Sequence, residues 1–259
     1  MRAESLLIDS HCHLNSPHFA NRVGEVLARA QAAGVTQVIV PGWDRDSSHK
    51  ALALAAHFPI IRAAVGLHPW FVAADPDLSW LPALLDDPRV TAVGEIGIDG
   101  AIEGADPPQQ DAVFRTQLLW AVAHNLPVLI HCRRGWERTL VDIRETPGVR
   151  GVLHAFSGSR EVLRECLALG LYISFAGMVT RPNSLRAHEA VLHVPIDRLL
   201  LETDAPYMAL DGVPAEAVEP AHIMQILDFV ATLRGESVDV LARQVWENFQ
   251  RLFSNRVVT

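Results

Sequence analysis

Alternating apolar and amphipathic segments predict an α/β protein, built as a single (β/α)8 TIM barrel with an extra C-terminal helix. Eight short runs rich in Val, Ile and Leu recur along the chain, and each is followed by a segment with helical character. Strict alternation of this kind indicates a parallel sheet. Eight such units in 259 residues favour a closed barrel over an open doubly wound sheet. The open sheet is the alternative, but no GxGxxG motif follows the first run to support a dinucleotide-binding fold.

The predicted elements follow one another without a break. The strands are expected at residues 6–10, 36–40, 61–65, 90–95, 127–132, 151–156, 171–175 and 198–204. The helices between them are expected at 21–33, 45–57, 78–85, 109–125, 136–145, 160–169, 184–192 and 219–233, and the last helix at 238–253. Gly or Pro follows most of these helices, where helices are expected to end.

Composition predicts one domain over residues 1–259, because 49% of the residues are hydrophobic and no linker or low-complexity tract interrupts them. Neither a secretory signal nor an apolar run long enough to cross a bilayer is recognised, so we expect a soluble, cytoplasmic monomer. Three cysteines argue against a disulfide framework. We interpret Cys12 and Cys132 as small buried residues that point away from the neighbouring histidines.

The first run ends in a histidine pair that predicts half of a metal site. Residues two apart in a strand point to the same face, so Asp9, His11 and His13 project together. Two adjacent imidazoles suit a divalent metal. An HxH pattern is short and frequent by chance, so its meaning depends on what the other strand ends supply.

Other predicted strands carry the same residue types at their carboxyl ends, where functional side chains of such barrels lie. These residues are His68, Glu95, His131, His154 and Asp204. The imidazoles of His11, His13, His131 and His154 and the two carboxylates are more donors than one tetrahedral zinc needs, and they suit two divalent ions a few ångströms apart. We assign His11, His13 and Asp204 to one ion, His131 and His154 to the other, and Glu95 to a bridging position. Mixed nitrogen and oxygen donors fit Zn, Mn or Mg equally.

The predicted catalytic residues are Asp204, as the proton acceptor for an attacking water, and the bridging Glu95. His68 is not needed as a ligand, so we expect it to contact substrate, with a structural role as the alternative. Arg133 is expected to bind a substrate phosphate, with a surface arginine as the alternative. Glu202 and Asp9 are candidates for hydrogen bonds to ligand histidines, and a purely structural hydrogen bond is the alternative for both.

The net charge of the chain limits how a polyanionic substrate could be bound. The formal net charge is −8, whereas a surface that holds duplex nucleic acid nonspecifically is usually basic. A polyanion must therefore be bound locally, by metals and a few arginines. The only lysine, Lys50, falls in the helix after the second strand, so it cannot supply the carboxylated lysine that bridges metals in many small-molecule hydrolases.

These motifs resemble those of the TatD family of metal-dependent hydrolases, within the amidohydrolase-like barrels. The resemblance runs nearly end to end, through Asp9-Ser10-His11-Cys12-His13-Leu14, Gly66-Leu67-His68-Pro69, Gly94-Glu95-Ile96-Gly97-Ile98-Asp99, Gln110 with Phe114, Leu126-Pro127-Val128-Leu129-Ile130-His131-Cys132-Arg133, His154-Ala155-Phe156-Ser157-Gly158 and Leu201-Glu202-Thr203-Asp204-Ala205-Pro206. It implies a (β/α)8 barrel, the same ligand set and a divalent-metal phosphodiesterase, typically described as a deoxyribonuclease acting from DNA ends.

Three loops depart from the family pattern and place the chain nearer the branch typified by YjjV proteins. They are Gly100-Ala101-Ile102-Glu103-Gly104, Arg134-Gly135-Trp136 and Val218 before Glu219. All three loops bear on substrate access and not on the metals.

Three alternatives to a nuclease stay open. They are an ester, amide or phosphoester hydrolase of small molecules on the same dinuclear site, a mononuclear deaminase, and a non-catalytic binding protein.

Overall fold

Eight parallel strands form the centre of the molecule in a computed structural model that describes residues 7–72 and 76–254. They pair in chain order. The strands are β1 (Leu7–Asp9), β2 (Val35–Pro41), β3 (Ile61–Val65), β4 (Val90–Asp99), β5 (Val128–Arg133), β6 (Gly151–Leu153), β7 (Tyr172–Phe175) and β8 (Leu199–Leu201). The Ser10 N–H donates to the Leu201 carbonyl across 3.1 Å, which brings the last strand back to the first. The predicted (β/α)8 barrel is confirmed.

Helices alternate with the strands, as predicted. They are α1 (Val23–Ala32), α2 (Arg45–His57), α3 (Leu81–Leu85), α4 (Pro107–Ala123), α5 (Trp136–Arg144), α6 (Arg160–Ala168), α7 (Leu185–His193), α8 (Ile223–Arg234) and α9 (Val238–Phe253). Asp44, Asp106 and Ser159 each accept a backbone N–H from the first turn of the helix that follows, which satisfies a donor without an intrahelical partner. The expected extra C-terminal helix is α9, and it packs against β1 and β8.

The observed strand ends differ from the predicted ones where the chain turns into the mouth of the barrel. β4 continues to Asp99 because it stays paired with β5, opposite Arg133. β8 ends at Leu201, three residues before Asp204, whose φ of 52° is incompatible with a strand. Leu6, the first residue of the predicted first strand, lies outside the described residues.

The core surrounds the barrel wall. Side chains of the strands and the inner faces of the helices form one buried apolar cluster, which includes Phe114, Ile96 and Phe249. Cys12, Cys132 and Cys166 are buried free thiols. Across the described part of the chain, none of the helices has both the length and the apolar character that a membrane span requires.

Candidate metal centre at the mouth of the barrel

All six predicted ligands meet at the carboxyl ends of the strands. β1 and the turn after it place His11 and His13, β4 places Glu95, and β5 places His131. His154 and Asp204 follow β6 and β8. Burial is nearly complete for five of the six, and the His131 side chain is 15% exposed. Residues separated by up to 193 positions in sequence are therefore neighbours at one site.

Glu95 lies at the centre and divides the histidines into two groups. Its Oε2 is 3.2 Å from His11 Nε2 and 3.6 Å from His13 Nε2. Its Oε1 is 2.9 Å from His154 Nε2 and 3.1 Å from His131 Nδ1. Each carboxylate oxygen therefore faces a different pair of nitrogens, and this is the geometry that a bridging carboxylate requires.

Asp204 belongs to the His11–His13 side of the cluster. Its Oδ1 is 3.4 Å from His13 Nε2 and 3.9 Å from His11 Nε2. The Asp204 N–H donates to the His11 carbonyl, which holds the carboxylate at the end of β1. A non-glycine residue in the left-handed region is uncommon, and such strain concentrates at functional sites.

Two buried carboxylates orient the histidines on the other side. His154 Nδ1 is 3.2 Å from Glu202 Oε1, and His131 Nε2 is 3.4 Å from Asp99 Oδ2. A proton on each of these nitrogens leaves His154 Nε2 and His131 Nδ1 with lone pairs directed at Glu95. Histidine ligands are commonly held by a carboxylate in this way. Glu202 was a sequence candidate for this role, whereas Asp99 was missed.

His68 differs from the other histidines of the cluster in the partner of its Nδ1, which is a backbone N–H. Its Nδ1 accepts the backbone N–H of Trp70 at 3.1 Å, so the neutral ring carries its proton on Nε2. That Nε2 is 3.3 Å from Glu95 Oε1. Burial lowers the pKa of His68 to about 4, which keeps the ring neutral at pH 7. His68 is therefore a hydrogen-bond donor at the site, although its position beside Glu95 and His131 would suit a ligand.

The buried carboxylates of the cluster are ionised, and positive charge beside them balances their negative charge. Burial raises the pKa of Glu95, but the neighbouring histidines, His154 first among them, outweigh it and hold that pKa well below its usual range. Burial likewise raises the pKa of Asp204, and a hydrogen bond from His13 reverses the effect. Burial lowers the pKa of His154, but Glu95 and Glu202 raise it well above the ordinary value. Protons on histidines balance the carboxylates here, and metal ions at such sites displace protons of this kind.

The remaining candidates lie around the cluster. Arg133 is exposed and lines the cavity above it. Asp9 does not reach an imidazole; its carboxylate accepts from the Thr203 N–H and hydroxyl and from the His11 N–H. Asp9 therefore ties the end of β1 to the end of β8. Cys12 and Cys132 contact Ala205 and Thr139 and do not line the cavity.

A cavity of about 590 Å³ opens over the cluster. Much of its wall is aromatic or apolar, from Trp43, Trp70, Phe71, Tyr207 and Met208. None of these five residues was predicted from the sequence. The signal available was their position in the segments that follow β2, β3 and β8, the side of the barrel where ligands bind.

A (β/α)8 barrel with histidine and carboxylate donors converging at its mouth defines the class of metal-dependent barrel hydrolases. The family model described as TatD related DNase matches residues 8–254. The chain is 34% identical over 252 residues to the uncharacterized metal-dependent hydrolase YabD of Bacillus subtilis (strain 168), covering 96% of this chain and 99% of YabD. It is 36% identical over 263 residues to the 3'-5' ssDNA/RNA exonuclease TatD of Klebsiella pneumoniae (strain 342), covering 95% and 97%.

Among solved structures, the crystal structure of YjjV, a TatD homologue from Escherichia coli K12, matches with a TM-score of 0.92 at 32% identity. The match covers 97% of this chain and 99% of YjjV. The chain therefore belongs to the TatD-related DNase family, and the resemblance found in the sequence motifs is confirmed.

Proposed function

We propose that this chain is a two-metal phosphodiesterase that removes nucleotides from the ends of single-stranded DNA. The observation that carries the proposal is the position of Glu95, with one oxygen toward His11 and His13 and the other toward His131 and His154. Relatives named as 3'-5' ssDNA/RNA exonucleases support the choice of a nucleic acid over other esters.

The donor set fits two divalent ions. We assign His11, His13 and Asp204 to the first ion, His131 and His154 to the second, and Glu95 to both. The hydrogen bonds of His154 to Glu202 and of His131 to Asp99 direct ligand lone pairs inward. Imidazole and carboxylate donors together suit Zn, Mn or Mg.

Bound ions of this type supply Lewis acidity, which acidifies water and offsets charge on phosphate oxygens. Within the chain, Asp204 accepts the proton of the attacking water at its carboxylate, which its lowered pKa keeps ionised at pH 7. The guanidinium of Arg133, at the wall of the cavity, binds a phosphate oxygen. His68 donates its Nε2 proton to another oxygen of the substrate.

The test is nucleotide release from end-labelled single-stranded DNA and RNA with Mg, Mn or Zn, and with a chelator. We expect metal-dependent release that Asp204→Asn lowers by about 100-fold or more, because the general base is lost. Asp197→Asn is a matched control, since Asp197 precedes β8 at the opposite end of the barrel. An absence of release in every metal, or an Asp204→Asn variant as active as the control, would contradict the proposal.

A second candidate is a small-molecule ester or phosphoester hydrolase on the same site. The cavity volume of about 590 Å³ favours it, because a cavity of this size suits a small ligand. The same assay separates the two candidates when p-nitrophenyl esters and phosphodiesters are run beside the oligonucleotides.

We also propose that residues 1–259 act as one domain, as a monomer in the cytoplasm. The match of the family model over residues 8–254 supports the single domain. The three free cysteines are in keeping with a reducing compartment.

A further inference from the structure

We propose that Trp70 and Tyr207 form a pair of stacking faces for nucleobases on the two sides of the metal cluster. This inference rests on the proposed nuclease function and names what the enzyme recognises. Among residues 7–72 and 76–254, the exposed Phe, Tyr and Trp side chains are Trp70 at 60%, Phe71 at 46% and Tyr207 at 57%. All three line the cavity over the metal centre. Exposed aromatic rings concentrated at one site indicate a binding surface.

Trp70 is fixed by its polar edge. Its indole Nε1–H donates to the buried Asp99 Oδ2 at 2.7 Å, and its ring meets His68 edge-on at 5.3 Å between centroids. The indole therefore has a defined orientation while more than half of its surface remains open. An anchored ring loses little conformational entropy when a ligand stacks on it.

Tyr207 is fixed in a similar way beside a different histidine of the cluster. Its hydroxyl is 3.2 Å from Ser16 Oγ, and its ring contacts His13 at 5.1 Å between centroids. The Tyr207 N–H donates to the Asp204 carbonyl at 2.8 Å, which places this ring beside the proposed proton acceptor.

The two rings are next to different histidines that face Glu95. The neighbour of Trp70 is His68, which faces Glu95 Oε1, and the neighbour of Tyr207 is His13, which faces Glu95 Oε2. A phosphodiester bound over Glu95 carries a nucleoside on each side. The arrangement therefore suits one base against each ring.

Charge favours stacking over phosphate binding as the source of affinity. Of the described residues that line the cavity, Arg133 is the one with a permanent positive charge, and the whole chain carries −8. Few phosphates are neutralised, so the affinity should depend weakly on salt. Aromatic stacking requires bases that are free of a duplex, and it tolerates any base because each has a π-face.

The experiment compares two labelled single-stranded oligonucleotides that differ only in the terminal residues, which are either normal or abasic tetrahydrofuran units. Anisotropy measures their binding to the metal-loaded, unmodified chain, with phosphorothioate linkages at the ends to slow cleavage. Nucleotide release from the same ends with ordinary phosphodiester linkages measures kcat/KM. We expect the abasic ends to bind about tenfold more weakly and to be cleaved with a kcat/KM lower by a similar factor.

Variants assign the effect to the rings. Trp70→Leu and Tyr207→Leu should weaken binding of normal ends about tenfold and leave abasic ends unchanged. Trp70→Phe loses the same N–H as Trp70→Leu but keeps a ring, so the difference between these two variants isolates stacking from the contact with Asp99. Leu185→Ala, at an exposed aliphatic residue outside the cavity, is the control.

Equal binding and cleavage of normal and abasic ends would overturn the inference, and so would Leu variants with unchanged affinity for normal ends. Base-dependent binding without metal-dependent release in any metal would contradict the nuclease proposal and leave the stacking faces supported. Release that ignores the terminal base would contradict the stacking faces and leave the nuclease proposal standing.

Discussion

The side chain of Asp99 contacts two different parts of the site. Its Oδ2 accepts from Trp70 Nε1 and lies 3.4 Å from His131 Nε2. Its backbone N–H and carbonyl are both bonded to the side-chain amide of Gln110. One buried carboxylate therefore fixes both an aromatic ring at the mouth and the direction of a proposed metal ligand.

We predict that Asp99→Asn lowers affinity for the second metal ion by 10- to 100-fold, because an amide holds the His131 ring less firmly than a carboxylate. Titration calorimetry with Zn or Mn measures the two binding steps. Asp86→Asn, at a side chain that is 81% exposed, is the control and should bind both ions normally. A variant at residue 99 with unchanged affinity would show that His131 needs no such support.

Sequence reasoning predicts the residues of the cluster because each stands at the end of an apolar run, where its neighbours fix its direction. It missed Asp99 because the predicted fourth strand stops at residue 95. With the strand extended to its observed end, Asp99 falls on the same face as Glu95, four residues away. It missed Trp70 and Tyr207 because they lie in segments beyond the strands, where no periodicity indicates which way a side chain points.

At the scale of elements, the contact of β4 with β5 decides whether Glu95 and His131 can face each other. Gly97 makes that contact possible. Its φ is +151°, and a Cβ placed there would lie 1.9 Å from the His131 carbonyl oxygen. Because that oxygen belongs to the backbone of the neighbouring strand, it cannot move aside without displacing His131.

Gly97→Ala is therefore expected to lower the free energy of unfolding by about 3 kcal/mol or more, through the clash and the backbone strain together. Urea unfolding followed by circular dichroism measures it. Gly170→Ala separates the clash from the backbone strain, because Gly170 has φ +77° and open space around it. This variant should lower the free energy of unfolding by about 1–2 kcal/mol, from backbone strain alone. Equal losses in the two variants would mean that the close approach of β4 and β5 is not a constraint.

Helix and strand positions were largely predictable, and the bounds of α2 and α9 match the prediction at both ends. Side chains that cap helices and glycines that stop them act locally, so the sequence shows them. The short 3-10 turns, such as Pro69–Phe71, were not predicted. The Pro69–Phe71 turn also makes a contact that only the folded chain brings together, from the Trp70 indole N–H to Asp99, 29 residues further along the chain.

At the scale of the whole molecule, closure of the barrel turns a scattered set of residues into one site. The Ser10 N–H donates to the Leu201 carbonyl and joins the first strand to the last. The Asp204 N–H donates to the His11 carbonyl nearby, which joins the first proposed ligand in the sequence to the last. The number and order of the strands could be predicted, since the alternation of strands and helices and the length of the chain favour few topologies. The distances within the cluster could not be predicted, because they depend on the packing of the entire barrel.

Anomalous diffraction from crystals grown with Mn or Zn would show whether Glu95 bridges two metal ions. We expect two anomalous peaks per chain. One should be bounded by His11, His13 and Asp204, the other should lie beside His131 and His154, and both should contact the Glu95 carboxylate. A single peak, or two peaks that leave Glu95 uncoordinated, would contradict this expectation.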